Sequence, residues 1–173
     1  TPERLSNPYF YKYLKHNINS IKDLSNFTLI LNIPDFSRKG EKYKIPLSKL
    51  EYLKDEQLLI YKCGKDEGPI TKLLPSLRNP KIKDQDIIIV ADDDKYYYPE
   101  TFYKLSENII RYPLSVTTLC TYNIYGYLSF GFVKNIMKGL LKLKIPKECI
   151  NIDDNVIQHY ITYKNIPIKR LSN

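Results

Sequence analysis

The chain has 173 residues, of which 43% are hydrophobic and 27% are charged, a balance that supports one folded domain and excludes a disordered chain. The formal net charge is +8, but the lysines are scattered and form no basic run of five or more residues. The charge therefore does not indicate a specific nucleic-acid-binding protein, and it leaves compositional bias or attraction to an anionic ligand as explanations.

In the first half of the chain, short apolar runs alternate with segments of helical spacing. The apolar run at residues 28–33, which ends at Pro34, predicts a buried strand. Leucines three residues apart predict a short helix over 47–54, and residues 57–62 predict a second strand. A glycine and a proline at 68 and 69 predict a helix that continues to residue 77, because the first helical turn tolerates proline.

The second half continues the alternation. The isoleucine-rich run at residues 86–91 predicts the clearest buried strand of the sequence, and Pro99 predicts the start of the next helix. The remaining predicted elements are a strand at 113–119, a turn at 126–131, an amphipathic helix at 132–143, a helix at 153–164 and a strand at 166–171.

Strands that alternate with helices predict an α/β fold with a mostly parallel sheet. No internal repeat or flexible linker interrupts the chain, so residues 1–173 are predicted to form a single domain. In open α/β sheets, ligands bind beyond the carboxyl ends of the strands. Functional residues are therefore expected directly after the predicted strands.

Several classes of protein are disfavoured by the cysteines, the histidines and the hydropathy. Three cysteines without a C-x-x-C spacing and only two histidines argue against a disulfide framework, a zinc cage and a Ser-His-Asp hydrolase. The first 20 residues lack the apolar core of a signal peptide, and the uncharged stretch at 112–133 is too polar for a membrane helix. We therefore expect a cytoplasmic protein with no transmembrane segment.

Three consecutive acids, Asp92, Asp93 and Asp94, directly follow the predicted strand at 86–91. Because side chains alternate along a strand, Asp92 and Asp94 are expected on one side and Asp93 on the other. Two crowded carboxylates repel each other unless a cation lies between them, which predicts a hard divalent ion with a diphosphate across it. The alternative is a polar loop that ends the strand and precedes the next helix.

Four segments carry a resemblance to a known family. They are NIPDFSRKGEKYKIP at 32–46, KDEGPITKLLPSL at 65–77, IIIVADDDKYYYP at 87–99 and ECINIDDNVIQHYI at 148–161. In this order they resemble the GT-A fold nucleotide-sugar glycosyltransferases with a D-x-D motif, including small domains of large DNA viruses and bacteria. The resemblance spans about residues 27–171 and implies a Rossmann-like fold, with a nucleotide-binding part at about 27–98 and an acceptor part at about 99–173. The chain is short for that fold, so the acceptor part is expected to be reduced or supplied by another domain of a larger protein.

The resemblance implies a role for each matching position. Asp94 would bind the Mn²⁺ or Mg²⁺ ion directly, and Asp92 would contact the metal or the donor ribose. Among the nucleotide-binding positions, Asp66 would reach the uracil or the ribose, and Lys72 the phosphates, with a solvated helix lysine as its alternative. The full nucleotide-binding set comprises Asn32, Ile33, Pro34, Phe36, Asp66, Thr71, Lys72, Asp92 and Asp93. The expected partners are a nucleotide-sugar donor, with UDP as the commonest carrier, and a glycan or other hydroxyl acceptor.

A second acidic pair, Asp153 and Asp154, opens the helix predicted at 153–164. One interpretation is structural, because aspartate is a preferred helix N-cap and an acid in the first turn complements the helix dipole. The resemblance implies a second interpretation, in which an acid at this position is the general base of an inverting transfer. Asp154 is favoured over Asp153 for that role.

Two other functions compete with glycosyl transfer. A two-metal nucleotidyltransferase could use the same acids, although the chain has no G-x-x-x-x-G-K-[ST] motif. A non-catalytic carbohydrate- or nucleotide-binding module would need only the aromatic residues and the lysines. Each alternative predicts no sugar transfer.

Overall fold

The computed structural model describes residues 5–44, 57–121, 129–146, 149 and 152–171. These residues form a mixed α/β structure with helices and two small sheets. The chain divides into two compact units: unit 1 comprises Thr1–Glu67 and Asp93–Pro99, and unit 2 comprises Gly68–Asp92 and Glu100–Asn173. The single-domain assignment stays a prediction.

Unit 1 begins with a helix that the sequence analysis did not predict. This helix, α1 (Pro8–Ile21), follows Asn7, whose side-chain oxygen accepts a hydrogen bond from the backbone N–H of Tyr9 at 2.9 Å. Pro8 occupies the first helical position, where its missing N–H costs no helical hydrogen bond. Phe10, Leu14 and Ile18 recur every four residues and form the buried face of α1.

Two parallel strands complete the core of unit 1. β1 (Leu29–Ile33) and β2 (Leu58–Lys62) pair in parallel over their whole length, in agreement with the strands predicted at 28–33 and 57–62. Apolar residues of both strands pack with the buried face of α1 in one cluster. The helix predicted at 47–54 lies outside the described residues.

α1 also holds the backbone that follows the acidic triplet. The side chain of Asn17 accepts a hydrogen bond from the N–H of Tyr97 and donates one to the carbonyl of Lys95, both at 3.0 Å. The hydroxyl of Ser20 donates to the carbonyl of Tyr97 at 2.6 Å. Asn17 and Ser20 are buried, so little water competes for these bonds, and they fix the chain just after Asp94.

Unit 2 contains a mixed four-stranded sheet. Its strands are β3 (Ile87–Val90), β4 (Val116–Thr118), β5 (Phe130–Val133) and β6 (Ile168–Arg170), in the spatial order β3, β5, β4, β6. β5 is antiparallel to both of its neighbours, and β4 is parallel to β6. The expected parallel arrangement therefore holds for the pairs β1–β2 and β4–β6 but not for the strands beside β5.

The helices of unit 2 partly follow the predictions. α3 (Pro99–Arg111) and α5 (Asp153–Tyr163) confirm the helices expected from Pro99 onward and at 153–164. The helix predicted at 68–77 is divided at Leu73 into a 3₁₀ helix, Gly68–Lys72, and a short α2 (Leu74–Arg78). Pro75 explains the division, because it has no N–H to bond to the preceding turn.

β5 occupies a segment for which a turn and then a helix were expected. Phe130 and Phe132 point to one face and are fully buried, and on the other face a Cβ at Gly131 would lie 2.7 Å from the Ile109 side chain. Both faces of β5 are thus covered, so its sequence lacks the apolar–polar alternation that identifies a half-exposed strand. The helical part of the predicted 132–143 segment is reduced to α4 (Lys134–Met137) and a 3₁₀ helix, Lys138–Lys142.

A buried lysine fixes the loop that leads into β3. Lys134 is 4% exposed, and its ammonium donates hydrogen bonds to the carbonyls of Asn79 at 2.7 Å and Ile82 at 2.6 Å. We expect Lys134→Met to lower the free energy of unfolding by about 1–3 kcal/mol, because it leaves two shielded carbonyls without their donor. Thermal unfolding measures the change as a fall in Tm of roughly 2–10 °C.

Lys138→Met is the matched control for this substitution. Lys138 pairs with Asp84 at 2.9 Å, but both side chains are about half exposed. Such surface pairs contribute at most about 1 kcal/mol. If Lys134→Met destabilised the protein no more than Lys138→Met, the structural role of Lys134 would be rejected.

Candidate functional site

Four charged side chains of unit 2 converge on one point. The ammonium nitrogen of Lys72 lies 2.9 Å from Oδ1 of Asp92, 2.8 Å from Oδ2 of Asp153 and 3.5 Å from Oδ1 of Asp154. We call these four residues the Lys72 cluster. The sequence analysis had assigned them to separate roles in donor binding and in catalysis, and the structure brings them together.

Each member of the Lys72 cluster comes from the end of a secondary-structure element. Lys72 is the last residue of the 3₁₀ helix Gly68–Lys72, and Asp92 lies two residues beyond β3. Asp153 and Asp154 are the first two residues of α5. Ile70 and Leu73 on either side of Lys72 are buried in the core of unit 2, which anchors the backbone from which the lysine extends.

The two acids of α5 do not act as its N-cap. Ile152 occupies that position, and no side chain makes a capping hydrogen bond there. Asp153 and Asp154 lie in the first turn, where their charge favours the helix dipole, and their carboxylates lie beside the Lys72 ammonium. The capping interpretation is therefore wrong for both residues, although the dipole interaction remains.

The two acids differ in exposure and in the closeness of their contact with Lys72. The Asp153 side chain is 10% exposed, and its oxygen makes the shortest contact of the cluster. The Asp154 side chain is 25% exposed and lies 0.7 Å farther from the ammonium (3.5 against 2.8 Å). Of the two acids of α5, Asp154 is therefore the more exposed and the farther from the ammonium, while Asp153 forms the closer and more buried ion pair.

The carboxylates keep the lysine charged. Burial by itself lowers the pKa of the Lys72 ammonium, but the charges of Asp92 and Asp153 and their hydrogen bonds more than offset this and raise its pKa above the ordinary value. A protonated lysine is the state that neutralises part of the negative charge of these acids.

The acidic triplet is not an extension of β3. β3 ends at Val90, Asp93 and Asp94 lie in a turn, and the boundary between the two units falls between Asp92 and Asp93. The alternation of a strand therefore does not determine which way these side chains point. Asp94 is exposed, whereas Asp92 and Asp93 are half-buried.

The metal assignment of Asp92 and Asp94 stays a prediction. Within the described part of the chain, no group of three or more histidine, cysteine or acidic side chains has an arrangement that could hold a metal ion. The donor chemistry nevertheless fits Mg²⁺ or Mn²⁺ at Asp94, because Mg²⁺ is commonly bound by one or two carboxylates together with substrate phosphates and water.

The predicted nucleoside contacts of unit 1 lie around the carboxyl ends of β1 and β2. The hydroxyl of Tyr43 donates a hydrogen bond to Oδ2 of Asp66 at 3.0 Å, which ties the loop after β1 to the loop after β2. Phe36 bridges to Lys65 of the second loop and is 53% exposed. Phe36 and Asp66 are therefore brought to the same edge of the parallel pair, as expected for a ligand site.

The other members of the predicted set differ in how accessible they are. Ile33 is 3% exposed and its side chain packs in the core of unit 1, at the end of β1. Pro34 and Thr71 are also buried, and Asn32 is half-buried. Any contact of Ile33 with a nucleotide would have to use its backbone.

Acidic side chains lie close to the end of β2, among the basic residues of the same loops. Burial, together with Asp35, Glu67 and Asp66, raises the pKa of the Cys63 thiol at the end of β2 to about 11. Carboxylates suit the hydroxyls of a ribose as hydrogen-bond acceptors, but they repel a phosphate.

Sequence reasoning missed Asn17, Ser20 and His16, which hold the chain after the triplet. His16 contributes a ring nitrogen 3.1 Å from the carbonyl of Tyr97. The spacing of the three, all on the same helix, and the Asn7–Pro8 start signal were visible in the sequence. Their partners lie 77–81 residues away, however, so no local pattern indicated the contacts.

Among the helices that the structure describes, none combines the length and the hydropathy needed to cross a bilayer.

Comparison with known proteins does not assign a function to the Lys72 cluster. No protein-family model matches the chain, and no curated protein is significantly similar to it.

Proposed function

We propose that the chain is a metal-dependent glycosyltransferase of GT-A type, which moves a sugar from a nucleotide diphosphate sugar, with UDP as the expected carrier, to an acceptor hydroxyl. The observation that carries the proposal is the Lys72 cluster. In it, partly exposed and buried carboxylates from the loop after β3 and from the start of α5 meet at one ammonium. Neither acid is the N-cap of α5, so capping does not account for the pair.

Asp154 is the general base in this proposal. One of its carboxylate oxygens takes the proton of the acceptor hydroxyl as the acceptor oxygen forms a bond to the anomeric carbon of the donor. The bond from that carbon to the diphosphate breaks, and the nucleotide diphosphate leaves with the electron pair. Attack opposite the leaving group inverts the anomeric configuration. The accessibility and looser ion pair of Asp154 support its choice over Asp153.

The donor is assigned to other residues. In unit 1, the exposed ring of Phe36 offers a stacking surface for a base, and Asp66 offers acceptors for ribose hydroxyls. Asp94 is the proposed ligand of Mn²⁺ or Mg²⁺, which when bound would offset the charge of the leaving diphosphate. Asn17 and Ser20 support Asp94 by fixing the backbone that follows it.

The two-metal nucleotidyltransferase is less well supported. Its chemistry needs carboxylates that share two metal ions, yet Asp92 and Asp153 each have an oxygen within 3 Å of a lysine ammonium. An ammonium at that place repels a second cation.

Hydrolysis and transfer assays test the proposal directly. The protein is incubated with Mn²⁺ and each of a panel of UDP-, GDP-, CMP- and dTDP-sugars, with and without simple glycan acceptors, and the released nucleotide is measured. We expect one donor to be consumed, with product formation abolished by chelator, and proton NMR of the product to show the inverted anomer. Binding of nucleotides without turnover of any donor would favour the binding module, and pyrophosphate release from a nucleoside triphosphate would favour the nucleotidyltransferase.

A further inference from the structure

Lys72 was expected at the phosphates of the donor, but its ammonium lies beside three carboxylates. Two of them, with Asp92 and Asp153, lie within ordinary charge-assisted hydrogen-bond distance at 2.9 and 2.8 Å. The Lys72 side chain is 20% exposed, so these pairs are only partly screened by water. A phosphate that approached this ammonium would have to displace carboxylates that also repel it.

The contacts join two elements that are distant in sequence. Asp92 follows β3, and Asp153 begins α5 some 61 positions later (153 − 92), so the ammonium bridges the end of a strand and the start of a helix. The carboxylates on either side of it carry like charges. Without a cation between them they would repel each other, and the first turn of α5 would lose the contact that sets its position.

Asp154 makes the longest of the three carboxylate contacts with Lys72. It follows Asp153 directly on α5, so a displacement of Asp153 displaces Asp154 as well. At 3.5 Å its oxygen is close enough to Lys72 to feel the positive charge but beyond a short hydrogen bond. The tie between Lys72 and Asp153 therefore also positions the backbone of Asp154.

We propose that Lys72 is a positioning residue, whose ammonium ties Asp92 to Asp153 and so holds Asp154 where it can take the proton of the acceptor. Lys72 does not bind the donor phosphates in this assignment. The inference rests on the proposed function for the role of Asp154, whereas the tie itself does not depend on any reaction.

The first experiment measures the tie without reference to activity. Thermal unfolding is compared for wild type, Lys72→Met, Asp153→Asn and the double variant. We expect each single substitution to lower Tm. The fall in Tm of the double variant should be clearly smaller than the sum of the two single falls, because the first substitution has already broken the ion pair that the second would remove. Additive shifts would overturn the tie. If Lys72→Met did not fold, Lys72→Gln with Asp153→Asn would provide the same cycle, because glutamine also removes the cation, and Lys72→Arg, which keeps it, is expected to retain most of the stability.

The second experiment separates positioning from donor binding. For Lys72→Met we expect kcat for transfer to fall by about 10- to 100-fold, since a misplacement of about 1 Å costs that much, while the Kd for UDP with Mn²⁺ stays within about threefold of wild type. Lys72→Arg is expected to recover part of kcat, and Lys138→Met to leave both quantities unchanged. A rise of tenfold or more in the Kd for UDP, with kcat at saturating donor near wild type, would overturn the inference. It would indicate that Lys72 binds the phosphates of the donor.

Failure of the proposed function would give a different result. A wild-type protein that transfers no sugar from any donor would reject the catalytic role of Asp154, and with it the catalytic consequence of Lys72. The unfolding cycle would still show whether Lys72 ties Asp92 to Asp153.

Discussion

Asp154→Asn is expected to lower the rate of sugar transfer by about two to four orders of magnitude, the usual range for the loss of a general base. The amide keeps the shape of the side chain but cannot accept the acceptor proton. Stability should change little, because Asp154 is not the N-cap of α5, and its contact with Lys72 is the longest of the three. We expect a loss of at most about 1 kcal/mol in the free energy of unfolding, from the helix dipole and the weak ion pair.

Three measurements on this variant decide the assignment: Tm, the Kd for UDP with Mn²⁺, and kcat for transfer. We expect only kcat to change greatly. The comparison variant Asp153→Asn should instead lower Tm clearly, because Asp153 is the buried partner in the closest contact of Lys72. Asp84→Asn, at an exposed surface pair, should change none of the three. Turnover of Asp154→Asn within a fewfold of wild type would remove Asp154 from the mechanism.

Asp94→Asn is expected to weaken the binding of UDP in the presence of Mn²⁺ by at least about tenfold, since even the loss of residues that only support metal ligands has effects of this size. The substitution replaces an exposed carboxylate in the turn after Asp92 by a neutral amide, so the fold should be unaffected. Isothermal titration of UDP with Mn²⁺ and with chelator gives the difference.

The chelator provides the internal control for this prediction. Wild type should lose most of its UDP affinity in chelator, whereas Asp94→Asn should bind weakly in both conditions. Asp23→Asn, an exposed acid of the same unit after α1, should behave as wild type. Equal UDP affinity for wild type and Asp94→Asn with Mn²⁺ would reject Asp94 as the metal ligand.

Elements with a strong local signal were predictable from the sequence. β1, β2 and β3 are short apolar runs, and α3 and α5 have apolar residues at helical spacing, so local periodicity identifies them. α1 was missed although Asn7, Pro8 and the spacing of its buried residues are local signals as well. For α1 the information was present, and the mixture of charge and aromatics in the segment obscured it.

Other features depend on contacts between distant segments. β5 is a strand because Phe130 and Phe132 pack into the core of unit 2 while Gly131 lies under Ile109, and none of these neighbours is near in sequence. The direction of β5 in the sheet likewise follows from pairing with β3 and β4. Local periodicity carries no information about either.

The sequence by itself determined which residues could do chemistry in this protein: acids directly after a buried strand, acids at the start of a helix, and a lysine early in a predicted helix. Only the tertiary structure decided that Lys72, Asp92 and Asp153 share one ion-pair cluster, and that Asp154 lies beside it at a longer distance from the ammonium. The reason is physical. Residue type and local spacing follow from the covalent chain, whereas charges separated by 20 to more than 80 positions meet only when packing of the core has closed the loops between them.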